Sequence, residues 1–133
     1  MTGVLLDLST WTDARGVLTF MEPGTTIPFP IRLVYYMHSA GPGVRRGNHA
    51  HRELREVLIP VAGAVSVRLE NRSGTVTHRM VRPNQGLLIE PMTWIELYDF
   101  TPDAVVLFLA SHAYDEADNI RDRAAFEMDA GLR

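Results

Sequence analysis

Apolar and polar side chains alternate along most of the chain, up to about residue 110. In the segment 64–70, the apolar Val65, Val67 and Leu69 alternate with three polar residues. Side chains of a strand point alternately to opposite faces, so this period of two predicts a half-buried strand. Similar short segments between Gly- and Pro-containing turns predict eight or nine strands in all. The predicted strands cover residues 3–8, 17–21, 31–38, 57–61, 64–70, 75–81, 86–90, 94–100 and 104–110.

The segments between these strands carry turn and connector signals. Residues 11–16 include Asp13 and Gly16 and are predicted to form a turn. Residues 23–30 contain three prolines, which no helix interior tolerates, so an extended connector is expected. The sequence Asn-Arg-Ser-Gly at 71–74 predicts a tight turn that joins two strands as a hairpin.

Helical spacing begins only near the C-terminus. Asp115, followed by Asp118, resembles a capping box, and Ile120, Ala124 and Met128 recur at helical spacing. A short C-terminal helix is therefore predicted after the strands. The pattern as a whole predicts an all-β protein, a β-sandwich or jelly roll, in a single domain over residues 1–133.

Composition and charge narrow the possible functions. The net charge of −3 and the pI near 5.9 argue against nucleic acid as the main partner. The chain has no Cys, so a metal site would need His and carboxylate ligands. The N-terminus lacks the features of a signal peptide, and no apolar run approaches 18 residues. We therefore expect a cytoplasmic protein without a membrane segment.

Two histidines, His49 and His51, stand two residues apart, and on a strand this spacing points both side chains to one face. The spacing of Gly43, His49, His51, Glu56 and Gly63 matches the first cupin motif. This resemblance implies a small jelly-roll barrel with the site in its interior. In metal-binding cupins the two His and the Glu of this motif join a further His from a second motif.

The second cupin motif would begin at Gly86, and the position of its His falls near Trp94 to Glu96. No His stands there, and Glu96 is the only substitute ligand. One hypothesis is therefore a cupin enzyme that holds Fe, Mn or Zn with His49, His51, Glu56 and Glu96.

The sequence around the motif resembles a narrower family, the sugar 3,4-ketoisomerases that act on dTDP-4-keto-6-deoxyglucose. The segments that carry the resemblance are 13–18, 28–32, 35–36, 46–51, 91–94, 107–111, 114–116 and 120–122. The resemblance covers nearly the whole chain. It implies conversion of the 4-keto sugar to its 3-keto isomer in deoxysugar biosynthesis, without a metal or other cofactor. It also implies a homodimer that exchanges N-terminal strands.

The resemblance also implies roles for the residues that move protons. His49 and His51 are the expected acid/base pair, because imidazole can accept and return a proton near neutral pH. One of two adjacent tyrosines, Tyr35 or Tyr36, is expected to donate a further proton. Strand alternation lets only one of them face the barrel, and the resemblance favours Tyr35, because the family has its tyrosine at this spacing from the histidines.

Five residues are predicted to contact the substrate: Arg15, Arg32, Arg46, Glu56 and Trp94. Arg32 and Arg46 are candidates for the diphosphate, since guanidinium groups bind it bidentately. Trp94 is expected to form an apolar wall for the sugar or the thymine. Glu56 is expected to orient a histidine by accepting its N–H.

Three positions depart from the family pattern. Glu56 stands where Gln is common, Ile95 where a basic residue is expected, and Asn119 where Tyr is usual. The first departure keeps the metal hypothesis open, and the second leaves the stereochemistry at C4 of the product open. A third hypothesis is a sugar-nucleotide-binding cupin without activity. Arg121 and Asp122, at a predicted helix start, are expected to be solvated or capping residues.

Overall fold

The computed structural model describes all 133 residues, and short β-strands make up most of it. In chain order the elements are β1 (Val4–Asp7), β2 (Ser9–Asp13), β3 (Gly16–Phe20), β4 (Leu33–His38), β5 (Arg46–His51), β6 (Glu56–Ala62), β7 (Val65–Asn71), β8 (Gly74–Met80), β9 (Gln85–Ile89), β10 (Trp94–Tyr98), β11 (Val105–Ala110), a 3-10 turn (Glu116–Asp118), β12 (Asn119–Ile120) and α1 (Arg123–Asp129).

Ten of these strands form two five-stranded antiparallel sheets. The first sheet has the order β1-β9-β6-β11-β4 and the second the order β12-β5-β10-β7-β8. The main core lies between them and combines side chains of both sheets, among them Leu58, Val67, Ile95 and Phe108. This arrangement confirms the predicted all-β cupin-like jelly roll with a short C-terminal helix. No strand pairing joins the two sheets into a closed barrel.

The period-two pattern correctly predicted which side chains enter the core. Val65, Val67 and Leu69 of β7 are fully buried between the sheets. The hairpin predicted at 71–74 is present, with Asn71 paired to Gly74 at its end.

The connector at 23–30 forms no helix and covers the outer face of the first sheet. Ile27 and Phe29 from this connector are buried against Val57 and Ile59 of β6. Strand β6 is therefore covered on both faces, which explains its almost continuous apolar sequence.

The predicted turn at 11–16 is wrong in most of its length. Ser9–Asp13 forms β2, which pairs with β3 from Ser9↔Phe20 to Asp13↔Gly16, and only Ala14 and Arg15 turn. Trp and Thr favour the pleated conformation and here outweigh the turn signals of Asp and Gly. With β5 and β12, this strand brings the total to twelve, above the eight or nine predicted.

The C-terminal helix begins later than its predicted start near Asp115. Asp115 caps the 3-10 turn, and Asp122 caps α1 by accepting a hydrogen bond from the backbone N–H of Ala124. Ile120 lies between them and is buried in β12, so a helix through 115–122 would remove this residue from the sheet. The structure contains no helix with the length and apolar character needed to cross a membrane.

Helix α1 closes a small apolar cluster behind the second sheet. Phe126 is completely buried, and its ring centroid lies 5.2 Å from that of Trp94. Ala50 of β5 belongs to the same cluster. The helix therefore supports the strand that carries the two histidines.

We predict that Phe126→Ala lowers the free energy of unfolding by about 3–5 kcal/mol, because it leaves a cavity between α1 and the second sheet. Urea unfolding followed by circular dichroism measures the change. Met128 is on the same helix and is 69% exposed, so Met128→Ala should change stability by less than about 0.5 kcal/mol. Equal effects of the two substitutions would contradict this packing.

Candidate active site

A cavity of about 540 Å³ opens at one end of the space between the two sheets. Strand β4 contributes Leu33, Tyr35 and Met37 to its wall, and β5 contributes both His49 and His51. The remaining lining residues come from the start of β5 and the residue before it, from the turn after β5 and from the segment around β12: Arg45, Arg46, Gly47, Asn48, Leu54, Tyr114, Asp115, Asn119 and Arg121.

The two histidines reach this cavity because they alternate with Ala50, which is buried on the opposite face of β5. Their rings meet edge to face, with centroids 4.9 Å apart. The Nδ1 atom of His49 and both ring nitrogens of His51 are buried without a hydrogen-bond partner. Buried polar atoms without partners are rare in folded proteins, so these atoms are candidates for binding a ligand.

Burial favours the neutral form of both imidazoles. It lowers the pKa of His49, and it lowers the pKa of His51 to about 4, with a further contribution from the neighbouring His49. The carboxylate of Asp118 opposes the shift at His51. Near neutral pH both rings are therefore uncharged and have a free nitrogen lone pair that can accept a proton.

Tyr35 is the tyrosine that faces the cavity, whereas Tyr36 is 62% exposed on the other face of β4. The ring of Tyr35 stacks on Phe108 at a centroid distance of 4.6 Å. Its hydroxyl donates a hydrogen bond of 2.7 Å to Glu56 Oε2. Burial and the neighbouring carboxylate raise the pKa of Tyr35, so its hydroxyl keeps its proton and can act as a donor.

Glu56 is buried in the core, beneath the cavity wall. It shares the inward face of β6 with Leu58 and does not line the cavity itself. Burial raises the pKa of Glu56 to about 7 even though the hydrogen bond from Tyr35 opposes this shift. Glu56 therefore does not line the cavity, and the prediction that it orients a histidine is wrong, because it accepts its hydrogen bond from the hydroxyl of Tyr35.

The ligand set of the metal hypothesis is not assembled. No group of three or more His, Asp or Glu side chains lies in an arrangement that could hold a metal ion. Glu56 is bound to Tyr35, and Glu96 lies on the outer face of β10, 3.8 Å from Arg68. These residues do not fit a metal centre that uses both glutamates.

The predicted arginines fall in three different places. Arg46 lines the cavity together with its neighbour Arg45. Arg32 is exposed beside β4 and does not line the cavity. Arg15 lies at the tip of the β2–β3 hairpin, where it pairs with Asp13 at 2.6 Å. Within one chain, only Arg46 of the three is positioned to meet a ligand in the cavity.

Trp94 lies behind the second sheet, outside the cavity, so the predicted apolar wall is wrong. Ile95 and Leu97 of β10 face the core, and alternation therefore directs Trp94 outward. Its indole is buried against Phe126, with the guanidinium of Arg123 5.3 Å from the ring centroid.

Ile95, the position where a basic residue was expected, lies directly opposite His49 in the strand pairing.

A cluster at the cavity mouth was not predicted. Arg121 lines the cavity and donates hydrogen bonds of 2.7 and 3.0 Å to the two carboxylate oxygens of Glu116. Tyr114 donates a third to the same carboxylate. Arg121 and Tyr114 lower the pKa of Glu116 to about 2.

Asp122 is a capping residue as predicted, but Arg121 is not simply solvated. The segment 120–122 is one of those that carry the family resemblance. The sequence alone does not show that the side chain of Arg121 lines the same cavity as the histidines.

Comparison with known proteins agrees with this geometry. The family model described as FdtA, WxcM-like, C-terminal matches residues 1–130. The chain belongs to this family. It is 37% identical over 115 residues to the TDP-4-oxo-6-deoxy-alpha-D-glucose-3,4-oxoisomerase of Aneurinibacillus thermoaerophilus, a match that covers 86% of this chain and 83% of that protein. The predicted resemblance to sugar 3,4-ketoisomerases is thereby confirmed.

Solved structures of the family superpose closely on this chain. The sugar 3,4-ketoisomerase QdtA from Thermoanaerobacterium thermosaccharolyticum, in complex with TDP, matches with a TM-score of 0.95 and 36% identity, covering 99% of this chain and 96% of that one. A His-to-Asn mutant of QdtA has been solved in complex with TDP-4-keto-6-deoxyglucose. A 3,4-ketoisomerase from Helicobacter canadensis matches with a TM-score of 0.94 and 35% identity, covering 98% of both chains.

The low pKa of His51 predicts a pH dependence of stability. The pKa is about 4 in the folded protein against an ordinary value of 6.5, so the unfolded chain binds more protons between these pH values. The stability of the native protein relative to His51→Asn should therefore fall as the pH is lowered from about 6.5 to 4, by at most about 3 kcal/mol. Urea unfolding of both proteins across this range measures the difference.

His112 is exposed and lies outside the cavity, which makes His112→Asn the matched control. This variant should keep the pH dependence of the native protein. Parallel stability curves for the native protein and His51→Asn would show that His51 titrates normally.

Proposed function

We propose that the chain is an isomerase of deoxysugar biosynthesis that converts TDP-4-keto-6-deoxyglucose to its 3-keto isomer. The observation that carries the proposal is that His49 and His51, each with a buried Nδ1 that has no hydrogen-bond partner, share one cavity with Tyr35. The family relatives support the choice of substrate, since they are named for this reaction and one is solved with this sugar nucleotide.

The reaction moves a ketone from C4 to C3 without net oxidation. A neutral imidazole of the pair takes the proton from C3, and the electrons of the broken C–H bond form an enediol with the neighbouring carbonyl. A proton is then delivered to C4, while the C3 hydroxyl loses its proton and becomes the new ketone. The net change is one C–H bond broken at C3 and one formed at C4.

Tyr35 is proposed to carry protons between the two oxygens. Its hydroxyl can donate to the developing C4 oxygen, and its hydrogen bond to Glu56 fixes where it points. A positioned general base accounts for about 10²–10⁴-fold of the rate. The further stabilisation has to come from donors near the enediolate oxygens, of which the Tyr35 hydroxyl is one.

The cavity also carries charge suited to a diphosphate. Arg45, Arg46 and Arg121 all line it, and guanidinium groups bind phosphate oxygens with paired hydrogen bonds. We assign the diphosphate to this group, with Arg46 as predicted and Arg121 as an addition. Arg32 is left out because it lies outside the cavity.

Incubation with TDP-4-keto-6-deoxyglucose in heavy water tests the proposed reaction. The expected product is the 3-keto isomer with deuterium at C4, detected by NMR. His49→Asn and His51→Asn should each reduce turnover at least about 100-fold, the scale expected for loss of a general base. The exposed His112→Asn should retain full activity.

The result also separates the alternatives. Absence of product and of exchange, with the sugar nucleotide still bound, would show a binding protein without this activity. Turnover that disappears on metal removal and returns with a divalent metal would favour the metal-dependent hypothesis.

We also propose that the enzyme is a homodimer that exchanges N-terminal strands. The β2–β3 hairpin forms a two-stranded sheet of its own, and its side chains Trp11, Val17 and Leu18 are each more than half exposed. The free edge strand β4 presents Val34 and Tyr36, which are also more than half exposed. The apolar hairpin of one copy can therefore cover the free edge strand of a second copy, while the hairpin of the second copy covers the edge of the first.

The position of Arg15 supports the exchange. This residue was predicted to bind substrate, yet at the tip of the hairpin it lies outside the cavity of its own chain. A role in binding therefore requires the cavity of a partner subunit.

Analytical ultracentrifugation tests the dimer. The native protein should sediment at twice the chain mass of 14.9 kDa. The double variant Trp11→Lys/Leu18→Lys should sediment as a monomer, because it places two charges in the proposed interface. Val81 is 53% exposed on a different surface, so Val81→Lys should leave the dimer intact. A native monomer, or dissociation by Val81→Lys alone, would contradict the proposed interface.

A further inference from the structure

Asp118 has a carboxylate that is held by the turn that follows His51. Its Oδ1 accepts a hydrogen bond of 2.9 Å from the backbone N–H of Glu53, and its Oδ2 accepts one of 3.2 Å from Leu54. The backbone carbonyl of Asp118 accepts a third from the N–H of Arg52, also at 2.9 Å. The amides of Glu53 and Leu54 therefore fix the orientation of this carboxylate, and the amide of Arg52 fixes the backbone that carries it.

The same carboxylate faces His51. Its Oδ2 lies 3.6 Å from Nδ1 of His51, and the two side chains are only 15% and 14% exposed. Neither Nδ1 nor Nε2 of His51 has a hydrogen-bond partner. At 3.6 Å the contact is slightly longer than a hydrogen bond, and catalytic hydrogen bonds often shorten to full strength only when substrate is bound.

A carboxylate beside one ring nitrogen determines which tautomer of a neutral imidazole is stable. The N–H turns to the carboxylate, and the other nitrogen keeps its lone pair. The carboxylate also stabilises the imidazolium that forms when that second nitrogen takes a proton. Other charged or titratable groups that act on His51 are His49 and Arg121, and neither of them supplies an acceptor for Nδ1–H.

We propose that Asp118 is a positioning residue for His51, which accepts the Nδ1–H of this ring and so leaves Nε2 free to exchange protons with the substrate. The catalytic part of this inference rests on the proposed ketoisomerase function. The tautomer of His51 does not depend on it and can be measured without substrate.

A purely structural role of Asp118 has to be separated from this one, because its carboxylate also holds the backbone of residues 53 and 54. The chain offers a matched control at Ser111. The hydroxyl of Ser111 accepts a hydrogen bond of 2.8 Å from the backbone N–H of Arg55 and so holds the same segment. Ser111 does not line the cavity that contains His51. Ser111→Ala therefore loosens the segment while leaving the carboxylate in place.

The test is imidazole ¹⁵N NMR on Asp118→Asn, Asp118→Glu and Ser111→Ala, combined with steady-state kinetics. The native protein should show His51 protonated at Nδ1. In Asp118→Asn the Nε2–H tautomer should become dominant and the pKa of His51 should fall, because the opposing negative charge is gone. The kcat should fall by at least about tenfold and less than the roughly 10⁴-fold known for a comparable orienting carboxylate, with KM changed less than about threefold.

The two other variants make the test decisive. Asp118→Glu should restore the Nδ1–H tautomer in part, and Ser111→Ala should keep the native tautomer and a kcat within about threefold. The inference is overturned if Asp118→Asn keeps the Nδ1–H tautomer, or if Ser111→Ala changes tautomer and kcat as much as Asp118→Asn does. If the native protein turns over no keto sugar, the proposed function fails, while the NMR result still decides what Asp118 does to His51.

Discussion

The close approach of β5 to β10 at Gly47 is the constraint on which the site depends. Gly47 has a φ of +87°, and a Cβ at this position would lie 2.7 Å from the carbonyl oxygen of Ile95. Only glycine allows both the positive φ and the short separation. The pairing register of β10 shifts beside this contact, between Ile95 and Glu96, and it sets His49 opposite Ile95. A side chain at Gly47 would push β5 away from β10 and carry both histidines with it.

The burial of ring nitrogens without hydrogen-bond partners in His49 and His51 has an energetic cost, which the surrounding packing offsets. Ala50, between the histidines, packs into the cluster that includes Trp94 and Phe126. The short strand β12 pairs with the edge of β5 beside the same cluster. The C-terminal segment thus forms the rear support of the active site, and its apolar burial stabilises a strand whose front face carries unsatisfied polar atoms.

The sequence predicted the fold well because strand alternation is local information. It also placed His49 and His51 on one face, since spacing within one strand decides this, whereas the choice of Tyr35 over Tyr36 came from the family resemblance. It failed for Trp94, because that role came from the family resemblance, whereas alternation with Ile95 and Leu97 directs Trp94 away from the core. It failed for Arg121 because that side chain reaches the cavity through a pairing of β12 with β5, a contact between distant segments.

Charge at the cavity mouth links substrate binding to the proton affinity of the histidines. The positive charge of Arg121 lowers the pKa of both His49 and His51, which adds to the effect of burial. Glu116 pairs with Arg121 and raises the pKa of His49, and in the proposed complex a diphosphate near Arg121 adds further negative charge, so the imidazoles hold a proton more readily than in the free protein. A base that strengthens when the sugar nucleotide arrives abstracts the C3 proton more easily, and it remains a weak base while the cavity contains no substrate. Under the proposed function, the same arginine therefore serves binding and catalysis through a single electrostatic effect.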